Sequence, residues 1–445
     1  MVSPSRESDR RTGGQSRRRR FGENHPRTLQ LSLMATESVI LVLGYLFGFY
    51  MSWNIGANDV ANSMASSVGA GAITIRQALF IAGILNIVGA VFIGGHVTET
   101  IRKGIVSPEL LSDPHQTLLG ALAALLAAAL WVSFATWKSL PVSTTHAIVG
   151  AMIGFGIMAG GFGSVNWGKL GAVVGSWIVS PLFSLAIAFA TFKLIIRLVL
   201  SRAAALAAAL RFSPLFIGAA IFVVVLSFVF KTPLGKKLAL GTIPALSIAI
   251  GLATACGMAG RRMLSRLMGA DAARKGAEDV FRYIQVGTCC YVALAQGAND
   301  VANAIGPLAV IYFLVQTGSI AEKVPVPVFL LLFGGVGIAA GIAMAGHRVM
   351  ETIGRRITTL TNTRGFSVEF AAATTVLVAS KMGLPVSTTH AAVGGVMGVG
   401  LARGLEALDF GVITKIVIYW VLTVPAAAFT SMAIYQMLIL VVPSV

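Results

Sequence analysis

Apolar runs of about 20 residues, each long enough to cross a hydrocarbon core roughly 30 Å thick, recur along the whole chain and are separated by short polar or glycine-rich breaks. They fall near 32–53, 76–95, 116–137, 145–161, 168–198, 213–230 and 239–257, then near 304–317, 326–346, 367–383, 386–402 and 411–441. The runs are continuous rather than alternating, which predicts helices and excludes a membrane β-barrel. The expected fold is therefore an all-α polytopic membrane protein of about 12 segments. Several segments are short and flanked by glycine and polar residues, as in broken or re-entrant helices. Four stretches divide the chain: a basic tail at 1–30, a first membrane repeat with extra spans at 31–257, a charged linker at 258–281, and a second membrane repeat at 282–445.

The polar words that interrupt the apolar pattern occur in pairs. Gly-Ala-Asn-Asp-Val-Ala-Asn runs from Gly56 to Asn62 and again from Gly297 to Asn303. Leu-Pro-Val-Ser-Thr-Thr-His-Ala runs from Leu140 to Ala147 and again from Leu384 to Ala391. A weaker echo links Gly95–Ile101 with Gly346–Ile353. The order is the same in both halves, so the chain is an internal duplication. Spans near 213–257 have no counterpart in the second half.

Composition fixes the class. Only 11% of the 445 residues are charged and 56% are hydrophobic, with a mean hydropathy of +0.83; a soluble domain carries about 25% charged residues. The net charge of +17 is concentrated, with eight arginines in the first 27 residues. Such a tail suits anionic lipid headgroups better than a nucleic acid. No cleavable signal peptide is expected. The positive-inside rule puts the tail and the 258–281 linker on the same cytoplasmic side. Seven segments between them conflict with that: either one is re-entrant or the tail lies on the other side, and if all seven cross the two repeats are inverted. Cys256, Cys289 and Cys290 have neither metal-ligand nor disulfide-framework spacing and are expected to pack as small apolar residues.

The words carry chemistry. Asp59 and Asp300 follow apolar spans, where a carboxylate costs several kcal/mol unless paired, protonated or ligating a cation. Asn58, Asn62, Asn299 and Asn303 add amide donors and acceptors. In a helix Asp59 shares a face with Asn62, and Asp300 with Asn303. Glycine and alanine would also permit local unwinding. Carboxylate, amide and carbonyl oxygens form a hard-ligand set for Na⁺ or a proton-carrying acid. In the second word, proline ends one helix. Ser143, Thr144 and Thr145, and likewise Ser387, Thr388 and Thr389, then open the next. Hydroxyls and free amides at a helix start bind anions, although an ordinary N-cap needs the same serine. His146 and His390 read either as proton relays or as residues bonded to nearby carbonyls, with the second favoured. None of the four words contains arginine, as expected of a carrier that must release its anion. Two carboxylates beside an anion point to a co-bound cation and a protonated oxyanion such as dihydrogen phosphate.

At these residues the chain resembles the inorganic phosphate transporter family, over about 35–440. The resemblance implies two inverted repeats with phosphate held between them. It implies that Asp59, Asp300, Asn58, Asn62, Asn299 and Asn303 bind the coupling cation, with both aspartates also contacting phosphate. Phosphate would be held by Ser143, Thr144, Thr145, Ser387, Thr388 and Thr389. The stretch Gly365-Phe366-Ser367-Val368-Glu369 also matches the family and makes Glu369 a coupling or gating candidate. The Gly-Ala-Asn-Asp form is similar to the Na⁺-coupled branch, whereas Asn86 stands where many Na⁺-coupled members have glutamate. Na⁺ is favoured over H⁺ as coupling ion by the hard-ligand chemistry of the words. The expected function is secondary active transport of inorganic phosphate, with a sulfate carrier or an anion channel as alternatives. No enzyme activity, cofactor or P-loop is expected. Expected partners are phosphate, Na⁺ or H⁺, the lipid bilayer and, as an open option, a second copy in a homodimer. The expected location is the plasma (inner) membrane of a prokaryote.

Overall fold

The apolar runs fold as helices throughout a computed structural model, which describes residues 25–94, 106–107, 110–231, 235, 238, 240–269, 274–319, 324–381 and 386–442. The first half contains α1 (His25–Gly69), α2 (Ile75–Ile93), α3 (Pro114–Trp137), α4 (Thr144–Gly160), α5 (Trp167–Ile195, continued by a π turn over Ile196–Leu200), α6 (Ala205–Lys231) and α7 (Thr242–Gly269). The second contains α8 (Ala277–Thr317), α9 (Val328–Ala345), α10 (Asn362–Lys381), α11 (Thr388–Arg403) and α12 (Phe410–Val441). Among the described residues, nine helices are long and apolar enough to cross a membrane. The tail before residue 25 and the Gly95–Ile101 echo lie outside the described residues.

Most of the 258–281 stretch is helical rather than loop. Helix α7 carries its arginines as far as Gly269, and α8 starts at Ala277. A larger difference concerns the Gly-Ala-Asn-Asp words. They do not unwind. Each lies inside a continuous helix, α1 of 45 residues and α8 of 41, either of which reaches about 60 Å or more at 1.5 Å per residue. The glycines serve close approach instead. A Cβ added at Gly56 would run into the backbone carbonyl of Ile338 on α9, and one at Gly341 into that of Trp53. The mirror pair does the same: Gly297 abuts the carbonyl of Asn86 on α2, and Gly89 that of Leu294. Such crossings are how helices associate where no hydrophobic effect drives them together.

The exchange extends through the bundle. Helix α1 packs on α9 and α8 on α2, while α4 packs on α12 and α11 on α5. Gly150 and Gly154 seat against Val424 and Ala428 of α12; Gly394 and Gly398 seat against Pro181 and Leu185 of α5. Each half thus completes its core with helices of the other. Helices α6 and α7 stand outside this exchange, packed on each other and, through α6, on α8 and α10. Gly56→Val should overpack the α1–α9 crossing and cost about 1–3 kcal/mol; a melting temperature equal to that of the parent protein would refute the close approach.

Candidate functional site

Irregular backbone at membrane depth must have its polar groups satisfied by protein. In the break between α3 and α4, residues 138–143, the four successive carbonyls of Ser139 to Val142 meet that requirement. Ser139 O accepts from Thr352 Oγ1 at 2.7 Å, Leu140 O from Asn58 Nδ2 at 3.1 Å, Pro141 O from Trp420 Nε1 at 3.1 Å, and Val142 O from Thr389 Oγ1 at 3.2 Å. Val142 N donates back to Asn58 Oδ1 at 3.1 Å. Ser139 sits at φ 58°, a left-handed conformation uncommon outside glycine. Side chains from α1, α11, α12 and the segment after α9 therefore hold this turn open.

The two helix starts are then alike. Ser143 caps α4 by accepting from His146 N at 3.2 Å, and Ser387 caps α11 by accepting from His390 N at 3.2 Å. Both serines are buried. As caps they use an oxygen lone pair, which leaves each hydroxyl's proton to donate.

The threonines meet the Gly-Ala-Asn-Asp words across the two halves. Asn62 Nδ2 donates to Thr388 Oγ1 at 3.2 Å and Thr389 Oγ1 at 3.0 Å. Asn303 Nδ2 donates to Thr144 Oγ1 at 3.2 Å and Thr145 Oγ1 at 3.3 Å. These are the same contact made twice with the halves exchanged. Thr144 Oγ1 also donates to Asp59 Oδ2 at 2.7 Å, and Asn299 Nδ2 to Asp300 Oδ1 at 3.0 Å. Both aspartates are buried and feel one another's charge. Asp59 Oδ1 and Asn62 Oδ1 are buried acceptors that no side-chain or backbone donor reaches. A cation or a protonated oxyanion would satisfy such oxygens.

Not every candidate joins this cluster. The Asn58 amide is turned to Thr136 Oγ1 (2.9 Å) and the 140–142 backbone. Glu369 lies in a second cluster. Its Oε1 accepts from Ser66 (2.6 Å), Ser67 (2.7 Å) and Gln285 Nε2 (3.2 Å), and its Oε2 from Thr288. That cluster has no twin: counting 244 residues back, the spacing of the serine words, reaches Leu125.

Some contributors gave no signal as isolated residues. Gln296, 3% exposed, has neither side-chain polar atom bonded and lines a small cavity with Asn62, Asn299 and Thr388. Its position immediately before Gly297 was the only clue. His146 stacks on Trp177 (centroids 3.6 Å apart) and His390 on Trp420 (3.7 Å). The histidines meet edge to face at 4.4 Å, and His390 Nδ1 lies 3.0 Å from Trp177 O. The tryptophans follow their histidines by 31 and 30 residues, a repeat visible in the sequence.

A buried polar seam between two exchanged helical halves, within a multipass α-helical bundle, defines the class as a membrane transport protein rather than an enzyme. Residues 55–431 match the model of the phosphate transporter family. The chain is 49% identical over 402 residues to a candidate phosphate permease of Pyrococcus abyssi, covering 89% of this chain and 98% of the relative. It is 42% identical over 418 residues to inorganic phosphate transporter 2-1, chloroplastic, of Arabidopsis thaliana, covering 86% of this chain and 69% of the relative. Among solved structures it is similar to one titled the sodium-dependent phosphate transporter, with 45% identity and a TM-score of 0.82 over 91% of this chain and all of that one. The chain belongs to the phosphate transporter family.

Proposed function

We propose that this chain is a secondary transporter that carries inorganic phosphate together with Na⁺, binding both between two inverted repeats. The observation that carries the reading is the reciprocal pair of contacts, Asn62 to Thr388 and Thr389 and Asn303 to Thr144 and Thr145, around two buried aspartates. Ser143, Ser387 and the four threonines supply hydroxyls and helix-start amides to the anion. Asp59, Asp300, Asn62, Asn299 and Asn303 supply oxygens to Na⁺. Gln296 completes the polar wall. Asn58 acts by fixing the turn that carries Ser143. Glu369, held by four donors, is the coupling or gating carboxylate. Among the described residues, six candidate spans and the shorter helix Thr144–Gly160 precede the helix that carries the second copy of the first word, and crossing by all seven would invert the repeats. The carrier then works by rocking the halves about a fixed site. Similarity to a prokaryotic permease favours a prokaryotic plasma membrane, and the chloroplast relative marks the other setting.

Phosphate is favoured over sulfate because dihydrogen phosphate can donate a hydrogen bond to Asp59 or Asp300, whereas sulfate has no proton to give. Uptake of labelled phosphate into proteoliposomes should fall to background when Na⁺ is replaced by choline, at two different pH values. Undiminished uptake in choline that follows an imposed proton gradient would reassign the coupling ion to H⁺. Strong inhibition by sulfate with none by unlabelled phosphate would reassign the anion.

A further inference from the structure

Helices α6 and α7, which have no twin in the second half, enclose an apolar cavity of about 230 Å³ against α8 and α10. Ile217, Ala220, Val224, Met263, Tyr283 and Phe370 supply its apolar wall, and Gly287 leaves its floor open. Glu369 and Thr288, from the second polar cluster, stand in the same wall. A sealed apolar cavity of about 150 Å³ already admits a benzene molecule, so this one has room for a length of hydrocarbon. It is not sealed. Met263 is 55% exposed and Tyr283 46% exposed, and both lie on helices long enough to span a bilayer. The mouth thus opens on the outer face of helices with the length and apolarity of membrane spans.

Cations collect at one end of that mouth. Gly260, Met263 and Leu264 set the face of α7 that lines the cavity. At 100° per residue, Arg266 falls about 60° beyond Met263 at one edge of this face, and Arg261 lies beyond Leu264 at the opposite edge. Lys275 Nζ is tied to Leu267 O at 2.8 Å, one turn beyond Met263 on the same face. Among the described residues, the nearby acids Glu278 and Asp279 are committed elsewhere: Glu278 binds Thr363 through both oxygens, and Asp279 caps Gly276 N. Among the described residues none of these cations forms a salt bridge.

We propose that the cavity is a binding site for an anionic phospholipid, with one acyl chain between α6 and α8 and the phosphate headgroup on Lys275 and Arg266. The chain keeps water from the Glu369 cluster on that side. The proposal does not depend on which ion or anion is carried, because its test reads lipid binding and not uptake.

Native mass spectrometry of the detergent-purified full chain is the test, with phosphatidylglycerol and phosphatidylethanolamine of identical acyl chains as probes. The parent protein should retain phosphatidylglycerol preferentially. Gly287→Leu, which fills the cavity, should weaken retention at least about tenfold, the loss expected when two or more methylenes leave an apolar contact. Ala220→Leu gives a second filling, and Gly171→Leu on α5, also in open space, should leave retention unchanged. Lys275→Gln with Arg266→Gln should equalise the two lipids. Equal retention of both lipids by the parent protein, or unchanged retention in both folded cavity-filling variants, would overturn the proposal.

Discussion

Asp59→Asn should reduce Na⁺-driven phosphate uptake about 100-fold, the effect of losing about 3 kcal/mol of interaction with a charged group. The substitution changes charge with little change in shape. An asparagine at position 59 can still accept from Thr144, whose hydroxyl sits 2.7 Å from Oδ2. The helix crossing beneath it, set by Gly56 and Ile338, is untouched. What disappears is the negative charge at a buried position that also carries an oxygen without a donor, Oδ1. Asp59 and Asp300 are like charges buried together, so neutralising one relieves repulsion and desolvation rather than breaking an ion pair. The melting temperature should therefore hold or rise while uptake collapses. Asp300→Asn should behave alike, because Asn299 can turn its amide to keep the local bond and the charge is again what is lost. The pairing of a preserved melting temperature with lost uptake is diagnostic. Parental uptake in either variant refutes the role given to both carboxylates, and a large fall in stability recasts them as structural.

How much of this could be read from the chain differs element by element. The helices are legible because runs such as 116–137 and 411–441 have the length and apolarity of a membrane span and are bounded by caps: Asp113 before α3, Asp409 before α12. The start of α4 is legible for the same reason, since Pro141 cannot continue a helix and Ser143 can begin one. The fate of Gly-Ala-Asn-Asp is not. Glycine beside asparagine and aspartate is compatible with unwinding and with a tight crossing, and only the partner helix decides between them. That partner, with Gly341 opposite Trp53, is about 280 residues away in sequence. Which donor meets which acceptor is hidden for a similar reason. Asn62 and Asn303 each reach threonines of the opposite half, a pairing that local spacing cannot express. The Glu369 cluster is harder still, because Ser66, Ser67, Gln285 and Thr288 have no repeat to announce them.

Asn58→Ala should cost about 3 kcal/mol or more in stability, since it strands three buried backbone or hydroxyl groups at about 1–3 kcal/mol apiece. Both protons of the Asn58 amide are used, on Thr136 Oγ1 and Leu140 O, and its oxygen accepts from Val142 N. Only the second lone pair of Oδ1 remains for anything else. As a cation ligand, Asn58 would influence Na⁺ affinity and little beyond it. As the clamp on the 140–142 backbone, it sets where Ser143 begins α4, and so where Thr144 and Thr145 meet Asn303. The two roles separate experimentally. A clamp predicts a lowered melting temperature in the absence of Na⁺ and phosphate, together with lost uptake that raised Na⁺ does not restore. A ligand predicts an unchanged melting temperature and uptake recovered at high Na⁺. Asn58→Asp sharpens the contrast, because an aspartate keeps the acceptor for Val142 N but cannot donate to Leu140 O. It should rescue a ligand role and fail to rescue a clamp. Asn58 makes two bonds to the turn and one to Thr136 at the end of α3, and its neighbour Asp59 holds the open oxygen, so adjacent residues of one word divide the work between holding the site and being the site.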